Sequence, residues 1–366
     1  MSTIIFKPTE KCNSNCVYCD VVVKKAPKTM SVDLLELTFI KINEYLLEKN
    51  TEKLTLIWHG GEPLLLGIDY FKKAMEFMNT HCKVTKHLIQ QAIQSNMTMM
   101  KQEYVEVFRE MGIQHVGTSF EPISNIRGLG KDTDSALYNK KFFEGVNILS
   151  DNDLGWGFIY VVTKKALAKP LDIFYFLSNL KLSGGFMMNP VLIYGDDEKD
   201  LAITPQEYVD FLGEIFPVWW KNRQRYKDVD PFKSISRNVE EDGQSLGCVD
   251  SGSCAYGHLY IGPSGETSQC GRSEDWGIVN FGNIADRSLK EIFADPKREE
   301  FIKRTNYLFE NDCAGCRFWK ICHGGCPLDA YSTETKGFMR KTAWCDVRKL
   351  FMEKYFEPIT GIKFNK

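Results

Sequence analysis

The tightest constraint in this 366-residue chain is the run Lys11 to Asp20, KCNSNCVYCD, in which Cys12, Cys16 and Cys19 stand at C-x3-C-x2-C spacing. Three thiols this close on one loop can share one inorganic cluster. A cube of four irons and four sulfurs takes one ligand per iron, so three cysteines leave one iron open to another molecule. That favours chemistry at the metal over scaffolding. A zinc loop is the competing reading, but tetrahedral zinc favours four protein ligands and C-x2-4-C pairs, and this segment offers no fourth ligand.

An apolar strand, Thr3 to Phe6, runs directly into the loop. That combination resembles the signature of the radical S-adenosylmethionine (radical SAM) enzymes. The resemblance implies that SAM chelates the open iron through its amino and carboxylate groups, and that one electron from the cluster releases a 5'-deoxyadenosyl radical. It also implies that Tyr18, just before the third ligand, lies beside the adenosine; an ordinary buried tyrosine is the plainer reading.

The rest of the composition fits an intracellular enzyme. An apolar content of 43% supports a packed core, and a net charge of -2 removes the basic face that a nucleic-acid partner demands. The N-terminal apolar run is too short for a secretory signal, and no stretch approaches the roughly 20 apolar residues that span a bilayer. The expectation is therefore a cytoplasmic protein with neither nucleic acid nor membrane as partner. Twelve cysteines without an export signal point to metal ligation over disulfides.

Strand-like and helix-like stretches alternate through the first two thirds, the pattern of βα units around a parallel sheet. The strand candidates are Thr3 to Lys7, Lys53 to Trp58, Lys86 to Ile93, Gln114 to Thr118, Gly157 to Val162 and Phe186 to Ile193. Ser31 caps the first helix, whose Leu35, Phe39, Ile42 and Leu46 form one inward face. The sixth opens on Thr204, Pro205 and Glu207, a capping box, with Tyr208, Phe211, Ile215 and Trp219 on one stripe. Six units agree with the α/β fold of the radical SAM family, a (βα)6 partial TIM barrel whose ligands gather at the C-terminal strand ends.

The second strand runs into Trp58-His59-Gly60-Gly61-Glu62-Pro63, where adjacent glycines let the backbone approach a ligand. Beside the cysteine loop this resembles the family motif whose backbone and glutamate hold the amino group of SAM, which gives Gly60, Gly61 and Glu62 that role. His59 reads as a hydrogen-bonded structural residue. By the same resemblance Ser119, ending the fourth strand, contacts the ribose, Arg127 the SAM carboxylate, and Leu192 the adenine; a capping serine, a surface arginine and a core leucine are the alternatives. Phe120, Glu121 and Pro122 depart from the family's aspartate-glycine pair after that serine. Ser95 and Asn96 end the third strand where relatives carry threonine-asparagine-glycine.

Near Pro231 the alternation stops, and eight of the twelve cysteines fall between Cys248 and Cys345. The expected division is a barrel over 1–235 and a second domain over 236–366. A hairpin is expected from His258 to Ile261 through a turn at Pro263-Ser264-Gly265. The spacings resemble the SPASM domain, the C-terminal iron-sulfur extension of radical SAM enzymes that modify peptides and proteins. The resemblance implies one auxiliary cluster on Cys248, Cys254, Cys270 and Cys326, and a second on Cys313, Cys316, Cys322 and Cys345, making three 4Fe-4S clusters in all. Zinc, with His258 or His323 as a ligand, is the alternative. Cys82 is left over as a buried free thiol.

SPASM relatives abstract hydrogen from a peptide side chain and pass an electron on, which implies a peptide or protein substrate and an electron donor such as flavodoxin or ferredoxin. The overall pattern is similar to anaerobic sulfatase-maturating enzymes, which oxidise Cys or Ser to formylglycine. Those carry an aspartate base directly after the third auxiliary cysteine, where this chain has Gly271; Glu274 and Asp275 are the nearby carboxylates. The Trp-His-Gly-Gly-Glu-Pro-Leu run is instead similar to maturases that form carbon-carbon or thioether links in ribosomally made peptides (RiPPs). The expectation is thus a radical SAM oxidoreductase acting as a peptide maturase, cross-linking or oxidising side chains, with a sulfatase maturase second and a non-enzymatic iron-sulfur or zinc module third. No recognition domain is seen before the first strand, so a leader peptide is expected to dock on the barrel or the C-terminal domain.

Overall fold

The computed structural model of the chain describes residues 2–19, 26–49, 53–123, 125–130, 134–180, 184–192, 200–226, 228–243, 246–332 and 334–364. Strands β1 (Ser2–Phe6), β2 (Leu54–Trp58), β3 (Ile89–Gln94), β4 (His115–Ser119), β5 (Gly155–Val162) and β6 (Phe186–Pro190) alternate with helices α1 (Val32–Lys49), α2 (Ile68–His81), α3 (Gln102–Glu110), α4 (Ser135–Asp151), α5 (Pro170–Ser178) and α6 (Pro205–Lys221). This is the α/β, (βα)6 partial-barrel pattern that the periodicity predicts. Shorter elements follow: β7 (Val229–Asp230), α7 (Phe232–Glu240), α8 (Cys254–Gly257), β8 (His258–Ile261), β9 (Glu266–Ser268), α9 (Gly271–Asp275), β10 (Gly282–Asn283), α10 (Leu289–Phe293), α11 (Arg298–Glu310), α12 (Trp319–Cys322), α13 (Cys345–Phe351) and α14 (Glu357–Thr360). The chain forms two compact units, Met1–Phe158 with Tyr256–Arg298, and Ile159–Ala255 with Glu299–Lys366.

In the first unit the strand order is β10-β9-β8-β1-β2-β3-β4. Strands β8, β1, β2, β3 and β4 are parallel, and β9 and β10 add antiparallel strands. The expected hairpin is therefore present as β8 and β9, with Gly265 at φ +83° in its turn. What the sequence does not announce is that β8 lies parallel beside β1, His258 opposite Thr3 and Ile261 opposite Phe6. Without it β1 would present an unpaired edge.

Register divides the sheet into two unlike faces. Phe6 and Trp58 are opposite one another, fully buried and edge-to-face at 5.0 Å. Trp58 continues onto Phe71 of α2 at 5.2 Å, and its indole N–H donates to Gln91 Oε1 at 2.9 Å. Ile4, Leu54 and Leu56 share that packed face, where each side chain contributes about 2 kcal/mol by leaving water. The alternate residues Thr3, Ile5, Thr55 and Ile57 are half-buried, and His59 is exposed. The inner face of the sheet is thus reached by water.

Helix expectations hold at their caps and stripes. Leu34 N–H donates to Ser31 Oγ at 3.2 Å, and Leu35, Phe39, Ile42 and Leu46 are buried. In the second unit the Thr204–Glu207 capping box opens α6, whose Tyr208, Phe211, Ile215 and Trp219 are buried and which packs against α13. The fifth strand starts two residues early, at Gly155, and the third and sixth depart most from the expected extents. Lys86–Leu88 is a 3-10 turn, because Lys86 N–H bonds Cys82 O at 2.7 Å and Leu88 N–H bonds Thr85 O at 2.8 Å, satisfying the backbone locally. The sixth strand ends at Pro190, and Ile193 lies outside the described residues. Among the described residues no helix is long and apolar enough to cross a membrane.

Candidate active site

β1 delivers the chain to the cysteine loop, which is pinned from two sides. Gly61 N–H donates to Thr9 O at 3.0 Å and Glu62 N–H to Lys11 O at 2.8 Å; opposite, Asn15 N–H donates to Gly128 O at 2.8 Å and Val17 N–H to Ile126 O at 3.0 Å. A Cβ on Gly60 would sit 2.3 Å from Thr9 O, and one on Gly61 2.3 Å from Lys11 O. The close approach that these glycines permit is therefore to the strand-to-loop segment leading into Cys12. Gly60, at φ +143°, also has a backbone conformation that other residues rarely adopt.

Cys16 is buried, and Cys12 and Cys19 are half-buried. Burial pushes the Cys12 and Cys16 thiols up to about 11; Cys19 adds to the effect at Cys12 and Cys12 to that at Cys16, so the three form one electrostatic neighbourhood. Arg127 opposes the rise at both. Its Nη1 donates to Cys16 Sγ at 3.3 Å, its Nε to Glu121, and its Nη2 to the Tyr18 hydroxyl. Tyr18 in turn donates to Glu121 Oε1 at 2.8 Å, with the guanidinium 5.4 Å from its ring centre. Burial holds the Tyr18 phenol well above its ordinary range. Arg127 and Tyr18, expected beside SAM, are thus joined by Glu121, which the sequence marks only as a departure from the family pattern.

Glu62 is fully buried and accepts three hydrogen bonds: Leu64 N–H at 2.9 Å, Ser95 Oγ at 2.8 Å and Asn96 N–H at 2.6 Å. Burial raises its carboxyl to about 7, with those donors pulling the other way. Asn96 also donates from Nδ2 to Asn13 Oδ1 and Ser14 Oγ, both at 2.9 Å, so the third strand end, the glutamate and the cysteine loop form one network. Ser119 ends β4, where Gln94 Nε2 donates to its hydroxyl at 3.4 Å. Leu192 is half-buried just after β6, in the second unit.

A second group stands at the same mouth. Lys7, one residue beyond β1, is only 4% exposed, and its Nζ lies 3.6 Å from Asp275 Oδ1 at the end of α9. His59 is held at about 4 by burial, by the Lys7 charge beside it and against the opposing pull of Gly60 N–H and Asp275. Gly60 N–H donates to His59 Nδ1 at 2.8 Å. The imidazole is accordingly neutral near pH 7 with its proton on Nε2. The His59 side chain is exposed to water. Sequence gives His59 no role; the signal available is its parity with Thr55 and Ile57.

In the second unit, burial raises Cys313, Cys322 and Cys345; Cys345 and Cys316 act on Cys313, Cys345 on Cys322, and Cys316 on Cys345. The four cysteines expected to share a cluster are thus brought together. Arg304, 2% exposed, organises their surroundings. It donates to the carbonyls of Phe338 (2.9 Å), Gly325 (2.7 Å), Gly324 (3.1 Å) and Arg340 (2.8 Å), with Cys326, Cys254, Cys313 and Cys322 as its electrostatic neighbours. Nothing in its local sequence marks it. Cys248 and Cys254 also belong to this unit, and Cys270 precedes α9 in the first. His323 Nδ1 is 3.0 Å from Asp250 O. Cys82 is fully buried with its thiol 3.4 Å from Phe39 O. Among the described residues no three His, Cys, Asp or Glu side chains converge as for a single metal ion; a four-iron cube places its ligands on separate irons.

A family profile described as the radical SAM superfamily matches residues 6–174, and one described as an iron-sulfur cluster-binding domain, SPASM, matches 248–317. The serine-type anaerobic sulfatase-maturating enzyme of Bacteroides thetaiotaomicron is 25% identical, over 89% of this chain and 82% of its own. The cysteine-type enzyme of Clostridium perfringens is 23% identical over 99% of this chain and 98% of its own. Native anSMEcpe with bound AdoMet and Cp18Cys peptide superposes with a TM-score of 0.82 at 21% identity, covering 98% of both chains. Streptococcus suis SuiB bound to its precursor peptide SuiA gives 0.62 at 15% identity, covering 94% of this chain and 75% of that one. With the three-cysteine loop inside the first matched segment and Cys248, Cys254, Cys270, Cys313 and Cys316 inside the second, the chain is a radical SAM enzyme carrying a SPASM domain.

Proposed function

We propose that the protein oxidises a Cys or Ser side chain of a peptide or protein substrate to formylglycine. End-to-end similarity to the sulfatase-maturating relatives carries this reading. Cys12, Cys16 and Cys19 suit a four-iron cluster by donor type and by mutual proximity, and the eight cysteines from Cys248 to Cys345 suit two more. When bound, SAM and the first cluster would supply a 5'-deoxyadenosyl radical. The chain's own work is to hold and orient. Arg127 donates to Cys16 and Glu121 balances its charge, while Glu62 and Asn96 fix the loop against β2 and β3. Gly60, Gly61 and Ser119, all in the first unit, are assigned to SAM contact, as the family resemblance implies.

A second reading, carbon-carbon or thioether cross-linking of a ribosomally made peptide, is favoured by Gly271, which places no carboxylate directly after Cys270. One experiment separates the two. Anaerobically purified, chemically reduced protein is incubated with SAM and a sulfatase-derived peptide carrying one Cys, and the products are read by mass spectrometry. A hydrazine-reactive aldehyde with 5'-deoxyadenosine is the expected result. SAM cleavage with no aldehyde on either the Cys peptide or its Ser counterpart overturns formylglycine formation. A Cys16→Ala variant should lose reductive SAM cleavage altogether.

A further inference from the structure

Glu121 and Arg127 form a buried ion pair that ends on a cysteine of the three-cysteine loop. The Glu121 side chain is 1% exposed and that of Arg127 10%. The guanidinium reaches in three directions: Nε donates to Glu121 Oε2, Nη2 to the Tyr18 hydroxyl, and Nη1 to Cys16 Sγ at 3.3 Å. Tyr18 closes the ring by donating to the other carboxylate oxygen, Oε1, at 2.8 Å. The main chain on either side of Arg127 is fixed to the loop, since Ile126 O and Gly128 O accept from Val17 and Asn15, and Ser135 Oγ donates to Arg127 O at 2.6 Å. The contact with sulfur is thus held both through the side chain and through the backbone.

A counter-ion with a purely structural role needs only its partner. Here both charges are felt at the sulfur, where Arg127 pulls the thiol down and Glu121 pushes it up. The positive end is the nearer one, because the guanidinium touches Cys16 while the carboxylate is held at Nε. Buried charges are screened far less than charges in water. Hydrogen bonds to ligand sulfur and local charge are also what sets the potential of a four-iron cluster. Reduction adds one negative charge to such a cluster, which the guanidinium attracts and the carboxylate repels.

We infer that Glu121 and Arg127 set the reduction potential of the four-iron cluster held by Cys12, Cys16 and Cys19, and that they do so with opposite signs. Arg127 on Cys16 makes electron uptake easier, and Glu121 makes it harder. The step concerned is transfer of one electron from an external low-potential donor to the oxidised cluster, with no bond in the protein made or broken. Both are positioning residues acting through Cys16. The inference goes beyond the formylglycine reading, because the potential can be read without any product.

The test is a redox titration of anaerobic, iron-loaded protein with dithionite, followed by electron paramagnetic resonance. SAM is left out, so that no contact between Arg127 and the cofactor enters. Subtracting the spectrum of Cys16→Ala, which lacks the first cluster, isolates the signal. At a fixed potential Glu121→Gln should raise the ratio of reduced to oxidised cluster about tenfold, a positive shift of about 59 mV. Arg127→Met should lower that ratio about tenfold, and the double variant, with neither charge, should return to within about threefold of wild type. Arg127→Met strands a buried carboxylate. If it fails to hold iron, Arg127→Lys, which keeps the charge and loses the planar fork, is read in its place and should lower the ratio about threefold. A ratio unchanged in both single variants, or moved the same way by both, overturns the proposal, because a pair that only stabilises the loop has no reason to shift it in opposite directions.

Discussion

At the scale of single residues, charge burial sets the character of this site. Glu62 is fully buried with its carboxyl raised to about 7 from an ordinary 4.5, burial outweighing three donors. Between those values the folded chain holds a proton that the unfolded chain has released. This contribution to stability is therefore complete below about pH 4.5 and is lost as pH rises through about 7, on the order of 3 kcal/mol in all. Glu62→Gln removes that slope. It also turns an amide NH2 toward Asn96 N–H in place of an acceptor, which costs about 1–3 kcal/mol at every pH. Urea unfolding at about pH 5 and about pH 8, followed by tryptophan fluorescence, should show stability rising more between the two pH values in the variant than in wild type, because the depressed His59 contributes the same rise to both; equal changes would refute the assignment. The cysteines are legible because ligation demands a residue type at a spacing. The roles of Glu121 and Arg304 are not, because a hydrogen-bond partner six or more residues away leaves no local mark.

Elements obey more local rules, and the sequence shows them more fully. Caps, proline at a first helical turn and apolar stripes are local, so α1 and α6 are readable down to Ser31 and Thr204. The GGE turn is readable as a motif, but its geometric reason is not. Both glycines are required by carbonyls of the strand-to-loop segment of β1, at 2.3 Å from any added Cβ. Gly61→Ala should therefore push Thr9 to Lys11 away and lower stability by about 1–3 kcal/mol, as overpacking does. Reductive SAM cleavage should fall with it, because the displaced segment leads directly into Cys12. Wild-type melting temperature and cleavage rate in Gly61→Ala would show that this packing is not needed. Strand β3 starts later than its apolar pattern suggests because the preceding backbone groups close a 3-10 turn among themselves.

For the whole molecule, cysteine usage leads to the third prediction. Anaerobically prepared protein should be brown and carry roughly 12 irons if three four-iron clusters assemble. Chelation under air should remove them, and amide exchange should then rise across residues 311–345, where helices are short and ligation supplies much of the order, while β1 to β4 keep their protection. A colourless zinc protein with intact protection there would contradict it. By itself the sequence determined the fold class and the cysteine positions, since strand and helix periods and ligand spacings are properties of neighbours along the chain. Only the tertiary structure decided that β8 shields β1, that Glu121 ties Arg127 to Tyr18, and that Lys7, His59 and Asp275 meet at one mouth. Those depend on which distant backbones lie 5 Å apart in a sheet, and no local pattern encodes that distance.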